Sequence, residues 1–86
     1  MPYVSVFFGI VIRMFYNEHN PPHFHAEYQG QAGVFDFDGK MMRGSLRSKT
    51  AKKLICEWAK LHRDELAINW ERAVGKQDIL KIDPLE

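Results

Sequence analysis

Three of the chain's four histidines, His19, His23 and His25, fall within residues 17–26, Asn-Glu-His-Asn-Pro-Pro-His-Phe-His-Ala. Imidazole titrates near neutrality, at about 6.5, so it can take and give a proton, and it is a frequent ligand of divalent metals. His23 and His25 stand one residue apart, which on an extended strand turns both rings to the same face. Two chemistries follow. In the first, His23 and His25 share the acid–base work of cleaving a phosphodiester, Arg13 steadies the developing phosphorane charge, and Glu27 or His19 orients an imidazole. In the second, His23 and His25 hold zinc or manganese, with His19, Glu27 or Asp36 as third ligand and one position left open. A third reading needs no chemistry. Asn17 and His19 hydrogen-bond the turn, the prolines set the entry angle of the strand, and the polar face, with Asn17, His19, Asn20 and Asp36 as binding residues, contacts a protein or nucleic acid.

Other catalytic classes find no support. Ser5, Ser45 and Ser48 lie in no nucleophile-elbow context, and Cys56 falls in the middle of a predicted helix, where it reads as buried and inert. No glycine-rich phosphate loop is written. Trp58 and Trp70, at helical spacing, read as core, and His62 reads as satisfying a helix C-terminus.

The elements that must position these residues fit one domain over residues 1–86. Apolar residues make up 45% of the chain, enough for a core without staples, and a lone cysteine excludes an intramolecular disulfide. That composition suits a reducing cytoplasm. No apolar run reaches the ~20 residues of a membrane span, and the opening residues lack the basic start and cleavage site of a signal peptide. A net charge of +1 argues against a general duplex-DNA binder. The cations nonetheless cluster at Lys40, Arg43, Arg47, Lys49, Lys52 and Lys53, either as a solvated helix start or as a phosphate-binding patch.

Residues 7–16, rich in β-branched and aromatic side chains, read as one strand with Ile10, Ile12, Met14 and Tyr16 on the core face. After the proline-broken connection, residues 23–28 alternate, so Phe24, Ala26 and Tyr28 face the core while His23, His25 and Glu27 face away. Gly30 marks a hairpin. A third strand covers residues 32–37, and Asp38-Gly39 predicts a two-residue type I′ turn into an edge strand at residues 40–44. The period then changes to 3.6. Ser48 or Thr50 caps a helix with Ala51, Leu54, Ile55, Trp58 and Leu61 or His62 in its stripe. Asp64 caps a second helix with Leu66, Ala67, Trp70 and residues 73–74, and Gly75 ends it. Residues 79–84 form a short strand or drape over the core. The predicted fold is α+β, an antiparallel β-meander of three to four strands with two C-terminal helices packed on one face. Its uncovered face would present Arg13, His23, His25, Glu27 and Asp36.

The combined motifs resemble the small bacterial family called DUF4160. They are Phe-x-Gly-Ile-Val-Ile-Arg-Met-Phe-Tyr-Asn-Glu-His from Phe7, Asn-Pro-Pro-His-Phe-His-Ala-Glu-Tyr from Asn20, and Trp-x-x-x-His-Arg-x-Glu-Leu from Trp58. Asn69-Trp70 and the Lys-Ile-Asp-Pro-Leu ending add to them. The resemblance implies a bacterial cytoplasmic protein, encoded beside a small DUF2442-like partner in an arrangement similar to toxin–antitoxin pairs. It implies no catalytic residue, cofactor or substrate.

Overall fold

The computed structural model describes residues 3–86. Five strands, β1 (Tyr3–Phe7), β2 (Ile10–Arg13), β3 (Phe24–Tyr28), β4 (Gln31–Phe35) and β5 (Met41–Gly44), precede two helices, α1 (Lys49–Leu61) and α2 (Arg63–Val74). Each strand pairs antiparallel with its neighbour in sequence, giving the order β1-β2-β3-β4-β5.

The α+β class and the two C-terminal helices agree with the sequence, but the sheet has five strands rather than three to four. The extra strand comes from a hairpin hidden inside an apolar run. Phe8 and Gly9 both take left-handed backbone, φ 50° and 79°. That is the requirement of a two-residue mirror-image turn, whose twist matches the flanking strands. Residues 7–16 are therefore the end of one strand, a turn, and the next strand. The β2 core face is as predicted at Ile10, Ile12 and Met14, all buried, whereas Tyr16 has left the strand and is exposed.

A second correction concerns Asp38-Gly39. Gly39 alone of the pair has positive φ, 85°, so this is no two-residue type I′ turn. Residues 36–40 form a longer connection organised by Asp36, whose Oδ1 accepts the Asp38 N–H at 2.9 Å and the Lys40 N–H at 3.0 Å. Glycine is required for a further reason. A Cβ on Gly39 would lie 2.5 Å from Cys56 Cα, because the turn packs directly on α1.

Trp58 of α1 is wholly buried between Phe7, which stacks on it, and Phe24, which meets it edge-on, each with ring centroids 5.6 Å away. Ile10, Ile12, Phe24, Ala26 and Phe35 supply the sheet side of the core, and Ala51, Ile55, Leu66 and Trp70 the helical side. A register shift between Tyr3 and Ser5 turns both Val4 and Ser5 inward.

Ser48 caps α1 as predicted, its hydroxyl accepting the Ala51 N–H at 3.1 Å. Leu61 is exposed and half-buried His62 takes its place. The N-cap of α2 is His62 rather than Asp64, which lies in the first turn. Its buried stripe is Leu66, Asn69, Trp70 and Ala73, with Ala67 and Val74 outside it, and Gly75 ends the helix. The tail forms no strand but is strapped down. Asn69, buried at the helix surface, donates to the Leu80 carbonyl at 2.8 Å and accepts from its N–H at 2.9 Å. Trp58 Nε1 donates to the Asp83 carbonyl at 2.8 Å, and Ile82 N–H to Val4 O at 2.8 Å. Among the described residues no helix is long and apolar enough to cross a membrane.

Candidate functional site

The β2–β3 connection, residues 14–23, is the longest in the sheet, and it folds back over the start of β3 against α2. Strand pairing fixes what stands beside His25. Directly across β2 is Arg13, and beyond it Tyr3 on β1; across β4 is Val34, and beyond it Arg43 on β5. Residues opposite one another in a ladder share a face, so these five form one row on the side away from the helices. Arg13 is one strand from His25 and Arg43 two strands away, roughly 5 and 10 Å in the pairing direction. Arg13 Nε donates to Glu27 Oε2 at 3.0 Å on the same face.

His25 is half-buried, and its Nε2 lies 2.8 Å from Glu18 Oε1. A carboxylate only accepts, so this nitrogen carries the proton and donates it. Phe15 meets the His25 ring edge-on, centroids 4.6 Å apart, and limits its rotation.

His23 departs from the alternation. It precedes β3, is 6% exposed, and packs between His25 and Trp70 of α2, with ring centroids 5.3 and 5.2 Å away. Its Nδ1 lies 2.8 Å from the Pro21 carbonyl oxygen. A carbonyl cannot donate, so Nδ1 bears a proton. The opposite nitrogen, Nε2, is buried, has no close hydrogen-bond partner among the described residues, and lies 3.5 Å from Glu18 Oε1. The prolines thus do more than set an entry angle: one of them fixes the imidazole's orientation.

Glu18 joins the two histidines. Burial works to raise its pKa, but in the acid range where a carboxyl titrates the imidazoles are cationic, and the hydrogen bond from His25, the charges of His23 and His25 and a long hydrogen bond from His23 outweigh that effect. Its carboxyl therefore titrates below the ordinary range. One acceptor atom from Glu18 and one nitrogen from each of His23 and His25 all lie within 4.8 Å of one another. Glu18 also lines a cleft of about 250 Å³, with Phe15, Asn17 and His19 on its side and Trp70, Ala73 and Val74 of α2 opposite.

The residues predicted from sequence therefore divide. His23, His25, Arg13 and Glu27 come together, although His23 is buried rather than presented. Asn17 and His19 are exposed at the cleft, Asn20 is exposed before Pro21, and the Asp36 carboxylate is occupied with the 36–40 connection. His19 lies outside the three-donor group, and Glu18 stands in its place. No periodicity could have singled out Glu18, since it is in a loop. The available signal was composition: it is the sole acidic residue of the histidine-rich stretch.

No curated protein and no solved structure matches the chain. A family model, Domain of unknown function (DUF4160), matches residues 9–71, and the chain belongs to that family. The matched span contains β2 to β5, all of α1, and the whole Glu18–His23–His25 group.

Proposed function

We propose that this DUF4160 protein acts on single-stranded RNA at the His25 end of its open sheet face. His25 is the proton-transferring group, Glu18 the carboxylate that orients it, and Arg13 the phosphate contact. The observation that carries this reading is the 2.8 Å contact of His25 Nε2 with Glu18 Oε1, one strand from Arg13. A carboxylate on one imidazole nitrogen leaves the other unprotonated and stabilises the imidazolium formed when that nitrogen takes a proton. Here the free base is Nδ1.

Nδ1 removes the proton of a ribose 2′-hydroxyl, the 2′-oxygen attacks phosphorus, and the bond to the 5′-oxygen breaks. Water supplies the proton to that leaving oxygen, giving a 2′,3′-cyclic phosphate and a 5′-hydroxyl. The guanidinium of Arg13 offsets the charge gathered on the phosphoryl oxygens. His23, buried behind His25, is a positioning residue in this scheme rather than a second proton carrier. A cytoplasmic location is supported by such a substrate and by the unpaired thiol of Cys56. The family resemblance supports a further step, a toxin-like role restrained by a DUF2442-like partner. Colony survival on induction, beside the His23→Ala/His25→Ala double variant, tests it.

The direct test incubates the purified chain with an RNA oligonucleotide and its all-deoxy counterpart. Cleavage of the RNA alone to cyclic-phosphate ends, reduced about 100-fold or more in His25→Ala, is expected. Intact RNA with the wild-type protein overturns the enzymatic reading. A non-catalytic RNA-binding module would then stand, favoured by a row that holds Arg13, Arg43 and Tyr3, whose ring carries Lys81 Nζ 3.6 Å from its centroid.

A further inference from the structure

We infer that Glu18 Oε1, His23 Nε2 and His25 Nε2 form a binding site for a divalent cation of the zinc class, in which the metal replaces the proton that His25 shares with Glu18. This state competes with the proton transfer proposed above, since a metal on His25 Nε2 leaves the ring's one proton on Nδ1.

The first argument is the orphaned nitrogen. His23 is 94% buried by its 6% exposure, and its Nε2 has no close hydrogen-bond partner among the described residues. Because Nδ1–H is committed to the Pro21 carbonyl, a neutral His23 aims a bare lone pair at a carboxylate oxygen 3.5 Å away. Two electron-rich atoms facing each other in a buried place repel, and a buried acceptor left unpaired is costly. A cation between them turns that opposition into two bonds.

Donor geometry is the second argument. Around a tetrahedral zinc with bonds of about 2.0–2.1 Å, ligand atoms sit roughly 3.3 Å apart. The contacts of Glu18 Oε1, 2.8 Å to His25 and 3.5 Å to His23, bracket that value, and all three donors lie within 4.8 Å of one another. Metal binding would open the Glu18–His25 contact slightly and draw His23 inward. Two imidazoles and one carboxylate are a donor set known for zinc, with the fourth position left for water.

The support behind the ligands is the third. Metal-bound histidines are usually fixed through their second nitrogen by a carbonyl or carboxylate. His23 already has that anchor in Pro21, and Trp70 and Phe15 restrict the two rings from the sides. His25 has no such anchor among the described residues, and to take a metal at Nε2 it must move its single proton to Nδ1.

The test uses the whole chain, tag-free, stripped with EDTA, desalted, and titrated with zinc chloride by calorimetry. One zinc per chain and a cobalt(II) derivative with a tetrahedral visible spectrum are expected. Affinity should fall more than tenfold in Glu18→Gln and in His23→Gln, and stay at the wild-type value in His19→Ala. No saturable uptake, or uptake undiminished in a folded Glu18→Gln variant, overturns the site. Should His23→Gln fail to fold, Glu18→Gln alone decides. Zinc uptake by a chain that leaves RNA intact when stripped of metal sinks the RNA reading and keeps this site; RNA cleavage by the stripped chain without any uptake does the reverse.

Discussion

The imidazole of His23 lies against the indole of Trp70, ring centroids 5.2 Å apart and planes tilted by 60°. That contact joins the entrance of β3 to the middle of α2, and it makes the second helix part of the site rather than only its cover. Phe37 also meets this indole, edge-on at 6.2 Å.

Trp70→Ala should therefore be damaging twice over. Removing a nearly buried indole from a core costs about 3–5 kcal/mol, read as a lower midpoint in urea unfolding. In the fraction still folded, the His23 ring loses its wall, and NMR should show its side-chain resonances broadened or shifted. Trp70→Phe keeps an aromatic surface there and should recover most of both losses.

Glu18 sets a pH dependence whose sign is fixed. Its folded pKa is depressed by His25 and His23 despite the opposing effect of burial. A carboxyl depressed in the folded state contributes stability above its unfolded pKa, about 4.3. That contribution is lost as pH falls through the lower, folded value. Urea unfolding in EDTA across this acid range should show stability falling with pH in the wild type. The slope should be shallower in Glu18→Gln, and equal slopes would show that the carboxylate is not coupled to the histidines.

Asn69→Leu should release the tail without unfolding the helices. The amide holds both backbone groups of Leu80, and its loss is expected to cost about 1–3 kcal/mol. Hydrogen exchange should accelerate across residues 78–86 while the α1 amides keep their protection.

Arg13→Gln should leave the fold intact, because the side chain lies on the open face and its pair with Glu27 is partly exposed. If the row through His25 takes a phosphate, RNA affinity should fall. Its dependence on salt should lose about one unit of slope, as expected for one phosphate contact. An unchanged slope would place the phosphate elsewhere.

How far the sequence reaches is clear from particular residues. Alternation in Phe24, Ala26 and Tyr28 against His25 and Glu27 was legible, because period two has one physical meaning when one face is buried. The stripe of Ala51, Ile55 and Trp58 was legible for the same reason at period 3.6. Phe8-Gly9 was not, since an aromatic residue gives no hint that it will accept left-handed backbone. His23 misled because alternation was extended one residue beyond the ladder, where the strand no longer dictates direction. Glu18 escaped because loops carry no period, and its role depends on a return of the chain that only the fold specifies.

The nearest-neighbour order of the sheet has a kinetic consequence. Each ladder joins strands adjacent in sequence, two of them across turns at Phe8-Gly9 and Gln29-Gly30, so little loop entropy is lost at any step. Such low contact order favours rapid zippering of the sheet. The exception is the seam where Ile82 N–H meets Val4 O, which joins the two ends of the described chain. The seam lies on β1, an edge strand, so transient opening of the native protein should begin there, with β3 and the histidine pair still closed.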